Sequence, residues 1–229
     1  MTRPASATER ITVTILLVAL GLLGSACGIS LDDEPRAIQT SASTTTTIEH
    51  PSLNPATSNL YYVLDEALVP VPTKVPDRAT TTLITELLKP LPKADDVPFR
   101  SAIPPGTMLR SATVRGTQLT VDLSSEFENL VGVSRQRALA QIVFTVTDVN
   151  SVPDSTSIRE VRFRIRGEDV QIASPLRGDV TTVGVCDFKS LLATNDQLTN
   201  ATIGDETLLE ELGSALTKRR ASMERICGR

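Results

Sequence analysis

The sequence predicts an α+β fold, and three observations predict it. Ile158–Arg166, IREVRFRIR, alternates apolar and charged residues, the period of a strand with one buried face. Leu119, Val121 and Leu123 alternate likewise within Gln118–Ser124, joined through Gly116–Thr117 to Met108–Arg115, a pattern that suits a hairpin with a type II′ turn. Between these runs lies Ser134–Val149, where Ala138, Ile142, Val146 and Val149 share one side of a helix,. With one strand and one helix ahead of them, the order is βαββαβ. Short connections and right-handed crossovers then favour a sandwich: one four-stranded, mostly antiparallel sheet, helices on one of its faces, and a C-terminal helical extension.

The elements follow in chain order. Arg3 and Arg10 precede the uncharged run Ile11–Leu23, which at about 13 residues fits a secretory signal and is too short to span a bilayer comfortably. It ends in Leu23-Gly24-Ser25-Ala26-Cys27, which resembles the bacterial lipobox, with Gly24 where a larger aliphatic residue is commoner. That resemblance implies a signal peptide over residues 1–26. It makes Cys27 the first mature residue, carrying palmitate-type acyl chains that hold the chain to the outer side of the cell membrane. Residues 27–58 are rich in Thr, Ser and Pro without hydrophobic period and read as an extended tether. The single His, His50, lies there with no partner to orient it,.

Residues 59–170 read as the folded domain. Leu60–Leu64, LYYVL, is a short strand, and LVPVPTKVP after it suits an edge or an irregular connection,. Asp77 or Thr80 caps a helix through Leu88, with Leu83, Ile84, Leu87 and Leu88 as its stripe and Pro90 beyond its end,. Ala102-Ile103-Pro104-Pro105-Gly106-Thr107 turns the chain into the hairpin,. On the last strand Val161, Phe163 and Ile165 face inward, so Arg162, Arg164 and Arg166 project together from the opposite face,. They form a candidate partner-binding stripe, against the alternative of a solvated or locally paired face. Arg135 and Arg137, at the start of the second helix, read as solvent-facing.

The stretches LYYVLDEALVPV, ITELLKPLP, SAIPPGTMLRSATVRGTQLTVDLSSEF, ALAQIVFTVTDV and VRFRIRGEDV resemble, in sequence and order, the GerMN domain of sporulation and germination proteins and of actinobacterial lipoproteins of the LpqB type. The resemblance covers Asn59 to about Val170. It implies a noncatalytic envelope component whose domain is similar to ring-building assembly modules. Accessory control of a membrane sensor kinase rests on the LpqB likeness alone.

Residues 171–229 extend the domain. Gln171–Val185 suggests a further hairpin, Asp187 a helix cap, and Asp205–Arg225 a helix with a stripe of Leu208, Leu209, Leu212 and Leu216,. With Cys27 acylated, Cys186 and Cys227 are the remaining cysteines, and outside the cytoplasm they are expected to join in a disulfide.

Function classes narrow by what is scarce. A net charge of −4, no Trp, 2 Tyr and 5 Phe argue against nucleic-acid binding, which needs clustered cations and stacking platforms. Ser124 and Ser125 lack a GxSxG elbow and a usable histidine,. Asp122, Glu126 and Glu128 are a weak carboxylate set for sugar hydrolysis. With one His and 3 Cys, no metal site or cofactor is expected. The expectation is therefore a lipid-anchored, noncatalytic binding or assembly module. Its partners are the membrane through Cys27 and an envelope protein or a second copy; a cell-wall hydrolase is the alternative from another class.

Overall fold

The β structure divides between two main sheets. In the computed structural model, which describes residues 55–92, 98–148, 157–201 and 203–228, strand β1 (Ala56–Leu64) turns at Asp65–Glu66 into β2 (Ala67–Val75). The two pair antiparallel along their whole length. LVPVPTKVP is thus part of a regular strand rather than an irregular connection. A two-residue turn makes Leu64 and Ala67 a hydrogen-bonded pair, so Tyr62 with Val69 and Leu60 with Val71 are bonded too,. Pro70 and Pro72 fall at the alternate positions, whose N–H would point away from β1, and no ladder bond is lost,.

Helix α1 (Thr80–Leu87) buries Leu83, Ile84 and Leu87. The second sheet is ordered β3 (Leu109–Arg115), β4 (Gln118–Leu123), β5 (Glu160–Ile165) and β6 (Glu168–Asp169). β3 and β4 form the expected hairpin, with Gly116 in the left-handed region at φ 59°,. β4 and β5 run parallel, Leu119 beside Val161, Val121 beside Phe163 and Leu123 beside Ile165. The expected single four-stranded, mostly antiparallel sheet is therefore corrected in its pairing. Helix α2 (Gly132–Thr147) separates β4 from β5, and such a crossover returns the chain parallel, while β1 is taken up by its own hairpin. The α+β class is as the sequence predicts, while the expected order βαββαβ gains β2 after β1 and becomes ββαββαβ through β5.

Every residue of α2 from Ala138 to Val146 is buried, which makes it a central helix rather than a surface one with a single apolar stripe. It packs against β1, α1 and the 3-10 segment Val185–Leu191. Gln141, fully buried, accepts the Ala102 N–H at 2.8 Å and donates to Ser101 Oγ at 3.3 Å. That fixes the turn ahead of β3.

After β5 come a small hairpin of β7 (Ile172–Ser174) and β8 (Gly178–Val180), then β9 (Thr182–Val183), which pairs with β5 beside β6. Gly184 follows; a Cβ there would meet the Arg159 carbonyl at 2.8 Å. The polar stretch beyond Thr194 contains a short helix that the sequence pattern did not announce, α3 (Asn195–Asn200). Asp205 accepts the Thr207 and Leu208 N–H groups at 2.9 and 3.1 Å, opening α4 (Glu206–Cys227),. α4 lies along β2, and its Leu212, Leu216 and Met223 join the same core as Leu60, Val121 and Ile142. A disulfide joins Cys186 to Cys227, Cα to Cα 5.5 Å.

Candidate functional site

The second sheet buries one face and presents the other. On the inner face Leu119, Val121, Leu123, Val161 and Phe163 are at most 1% exposed. Period-two alternation puts Thr120, Asp122, Arg162 and Arg164 on the outer face. There Ser111, Asp122, Arg164 and Asp169 lie in one cross-strand row, and Thr113, Thr120 and Arg162 in the next.

The arginine stripe is paired from within. Arg164 Nε donates to Asp169 Oδ1 at 2.8 Å, and Arg162 Nη1 reaches Asp169 Oδ2 at 3.3 Å, so one carboxylate serves two guanidinium groups. The hydrogen bond from Arg164 holds the Asp169 carboxyl below its usual range and raises Arg164 in turn,. Arg166 departs from the expected stripe. It has left the strand for a tight turn with Gly167, at φ 52° and 87°, and pairs with Glu128 at 3.2 Å. Asp122 is held by Arg110 Nε at 3.3 Å and by the Gly167 N–H at 3.0 Å. On this face Arg115, at the end of β3, has no ion-pair partner among the described residues.

Glu126, Asp169 and Asp187 are displaced downward, toward the anion, whereas a general acid at neutral pH needs the reverse. For Glu126 the leading cause is the hydrogen bond from Ser124. Ser124 Oγ also accepts the Met108 N–H at 2.8 Å, so this serine ties the end of β4 to the start of β3.

A second candidate region surrounds the disulfide. A cleft of about 450 Å³ is lined by Leu176, Cys186, Leu192, Arg220 and Met223 among others, and an adjoining one of about 690 Å³ by Ile158, Arg159, Leu176, Cys186 and Ile226 among others. Leu176 and Ile226 are 68% and 58% exposed. Between the clefts Asp187, 5% exposed, accepts Arg177 Nε at 2.9 Å, Arg177 Nη2 at 2.7 Å, the Gly184 N–H at 2.8 Å and the Ser174 hydroxyl. Burial pushes its carboxyl up, and these donors together outweigh burial and hold it down,.

Sequence reasoning missed a buried polar cluster beneath α4. Asp148, at the end of α2, accepts the Tyr61 hydroxyl at 2.6 Å and Asn59 Nδ2 at 3.3 Å. Arg219 of α4, 2% exposed, donates to the Thr147 carbonyl and hydroxyl at 2.9 and 2.8 Å. Its guanidinium lies 5.7 Å from the ring centroids of both Tyr61 and Phe144,. Burial drives the Tyr61 hydroxyl well above its ordinary range, with the positive charge of Arg219 opposing. The signal available was an arginine in the apolar register of a helix, Leu212, Leu216, Arg219, Met223. Arg137, expected to face solvent, instead donates to the Glu66 carbonyl at 3.1 Å and pairs with the Glu66 carboxylate, which clamps the β1–β2 turn. Cys27 and His50 lie outside the described residues.

Among the described residues no group of three or more His, Cys, Asp or Glu is placed to hold a metal, and no helix is long and apolar enough to cross a membrane. Residues 59–171 match a family model described as Germane: sporulation and spore germination. Solved structures that resemble the chain include the tandem GerMN domains of the sporulation protein GerM from Bacillus subtilis, 20% identical, with a TM-score of 0.45 over 58% of this chain and 47% of that one. The first GerMN domain of the same protein is 20% identical, with a TM-score of 0.38 over 55% and 92%. A putative lipoprotein from Clostridium perfringens is 17% identical, with a TM-score of 0.37 over 61% and 93%. The chain thus spans about half the length of the tandem structure. No curated protein matches it.

Proposed function

We propose that this chain, a GerMN-domain protein whose family match spans residues 59–171, is a lipid-anchored binding or assembly module on the outer side of the bacterial cell membrane. In this reading Cys27 carries the lipid, residues 27–58 give reach, and the domain meets an envelope protein or a second copy without catalysing a reaction. The observation that supports it most is the second sheet. One face is sealed by the core; the other is a broad, polar, internally ion-paired surface that ends on β3, whose outer edge has no strand partner among the described residues. Such a surface suits contact with a macromolecule better than turnover of a small substrate, which calls for a concave site and at least one group poised to give or take a proton. The arginine stripe now counts for less as a binding determinant, because Arg162, Arg164 and Arg166 each already face a carboxylate.

Two experiments test the reading. Metabolic labelling with an alkynyl palmitate, followed by fractionation, should show label and membrane recovery that disappear in Cys27→Ala; an unlabelled, freely released wild-type chain would contradict the anchor. Crosslinking in living cells, with purification and mass spectrometry, should capture an envelope protein or a second copy reproducibly. Release of soluble fragments from purified cell wall by the isolated chain would instead establish a hydrolase.

A further inference from the structure

We infer that the outer edge of β3 is a docking site for an extended acidic segment of a partner protein, which adds to the sheet as a further strand. The inference deepens, and rests on, the binding role proposed above. β3 is the terminal strand of its sheet. Because Gly116–Thr117 is a two-residue link, Arg115 and Gln118 form a hydrogen-bonded pair, and so do Thr113 with Thr120 and Ser111 with Asp122,. Ala112 and Val114 therefore direct their N–H and C=O groups away from β4. Among the described residues no backbone or side-chain group bonds to them. A row of free backbone groups of this kind is a template for strand addition.

The side chains define the visitor. Ala112 and Val114 share the face of Val121 and Leu119, and Val114 is 42% exposed at the rim of the core, with Met108 64% exposed just ahead of the strand. An added strand that presents apolar residues on this face would continue the buried layer. On the other face stand Ser111, Thr113 and Arg115, and Arg115 has no ion-pair partner among the described residues. Arg110, at the bulge, shares Asp122 and is half exposed. β3 thus carries two arginines and no acid. Antiparallel pairing of two β3 edges would set four arginines on one short ladder with no acid to offset them, which disfavours a second copy. An incoming strand with acidic residues opposite these arginines meets the opposite situation.

The test uses the purified full chain in detergent micelles and three fluorescein-labelled heptapeptides. One alternates valine and threonine between terminal glutamates; one replaces the glutamates with lysines; one is the glutamate peptide with alternate amides N-methylated. Fluorescence anisotropy should show the glutamate peptide binding about tenfold more tightly than the lysine peptide, and no binding of the methylated one. Val114→Pro, which removes an outward N–H and leaves the β3–β4 ladder intact, should weaken binding about tenfold. Should Val114→Pro lower the melting temperature, Arg115→Glu, a surface change, decides alone by reversing the preference between glutamate and lysine peptides. Equal binding of both charged peptides, unchanged binding after Arg115→Glu, no binding at millimolar peptide, or dimerisation of the chain that the peptide competes away would each overturn the proposal. Capture of an envelope protein in cells without peptide binding removes the edge site and leaves the broader role; peptide binding without capture does the reverse.

Discussion

The first hairpin and the second sheet end their strands in opposite ways. At the outer edge of β1 the Tyr61 N–H donates to Thr145 Oγ1 at 3.1 Å, and Val63 exchanges backbone bonds of 2.9 Å with Arg100. At the outer edge of β2 the Leu68 carbonyl accepts the Ala193 N–H at 2.9 Å, and Pro70 and Pro72 have no N–H to satisfy. A side chain, backbone bonds and prolines thus close the two edges of the hairpin. β3 packs against α1, carries a bulge and two arginines, and among the described residues has no bond to its outward backbone groups. Covered backbone belongs to the part of the molecule that holds it together, and open backbone marks where something else can attach.

The closed region should be costly to disturb, and the largest loss is expected on removing the disulfide that ties the end of α4 to the segment Val185–Leu191. Cys186→Ser with Cys227→Ser opens a loop of sequence separation 41, and urea denaturation should show a loss of about 4 kcal/mol on the chain-entropy model. Arg219→Met keeps the stem over Tyr61 and Phe144 but removes the donors to the Thr147 carbonyl and hydroxyl; a loss of about 3 kcal/mol is expected by the same measurement. A loss below 1 kcal/mol, roughly the worth of one ordinary hydrogen bond, would mean that the cluster contributes no more than a surface contact.

Acid should weaken the same half of the molecule through Asp187. Its folded-state carboxyl is held below its ordinary value, so the stability it adds is present above the unfolded-state pKa and is lost as pH falls through the lower, folded-state one. Melting temperature followed from neutral pH downward should drop less in Asp187→Asn than in the wild type below the ordinary aspartate range. Parallel curves would show that Asp187 does not carry the acid sensitivity. Smaller still, Thr145→Val leaves the Tyr61 N–H without its acceptor, and a loss of about 1–2 kcal/mol is expected. Least disturbed should be Val114→Pro at the open edge, which removes no bond; less than about 1 kcal/mol is expected, and a loss equal to that of Thr145→Val would show the β3 edge to be covered.

The sequence carried most of the elements, though not β2 as a full strand, because alternation and helical spacing are local. Val161, Phe163 and Ile165 announce a strand whoever their neighbour is. It carried the extent of α4 as well, since Leu208, Leu209, Leu212 and Leu216 set its helical spacing. Pairing was less legible. Whether β1 joins the second sheet or folds back on β2 depends on which outward N–H groups find partners on α2 and at Arg100, and these are distant in the chain. The candidate surface was half visible. Arg162, Arg164 and Arg166 were easy to see, but their pairing with Asp169 and Glu128 depends on the tight turn that swings Arg166 off the strand and brings Asp169 back beside Arg164. Arg115 drew no notice, because nothing local tells that β3 is the last strand of its sheet.

Amide hydrogen exchange on the full chain, resolved to single residues by NMR, tests the contrast most directly. Tyr61 and Val63 on the outer edge of β1 should exchange as slowly as the strand interiors, while Ala112 and Val114 exchange orders of magnitude faster than the neighbouring Thr113. Protection of Ala112 and Val114 equal to that of Tyr61 would contradict the account, because the edge of β3 would then already be occupied.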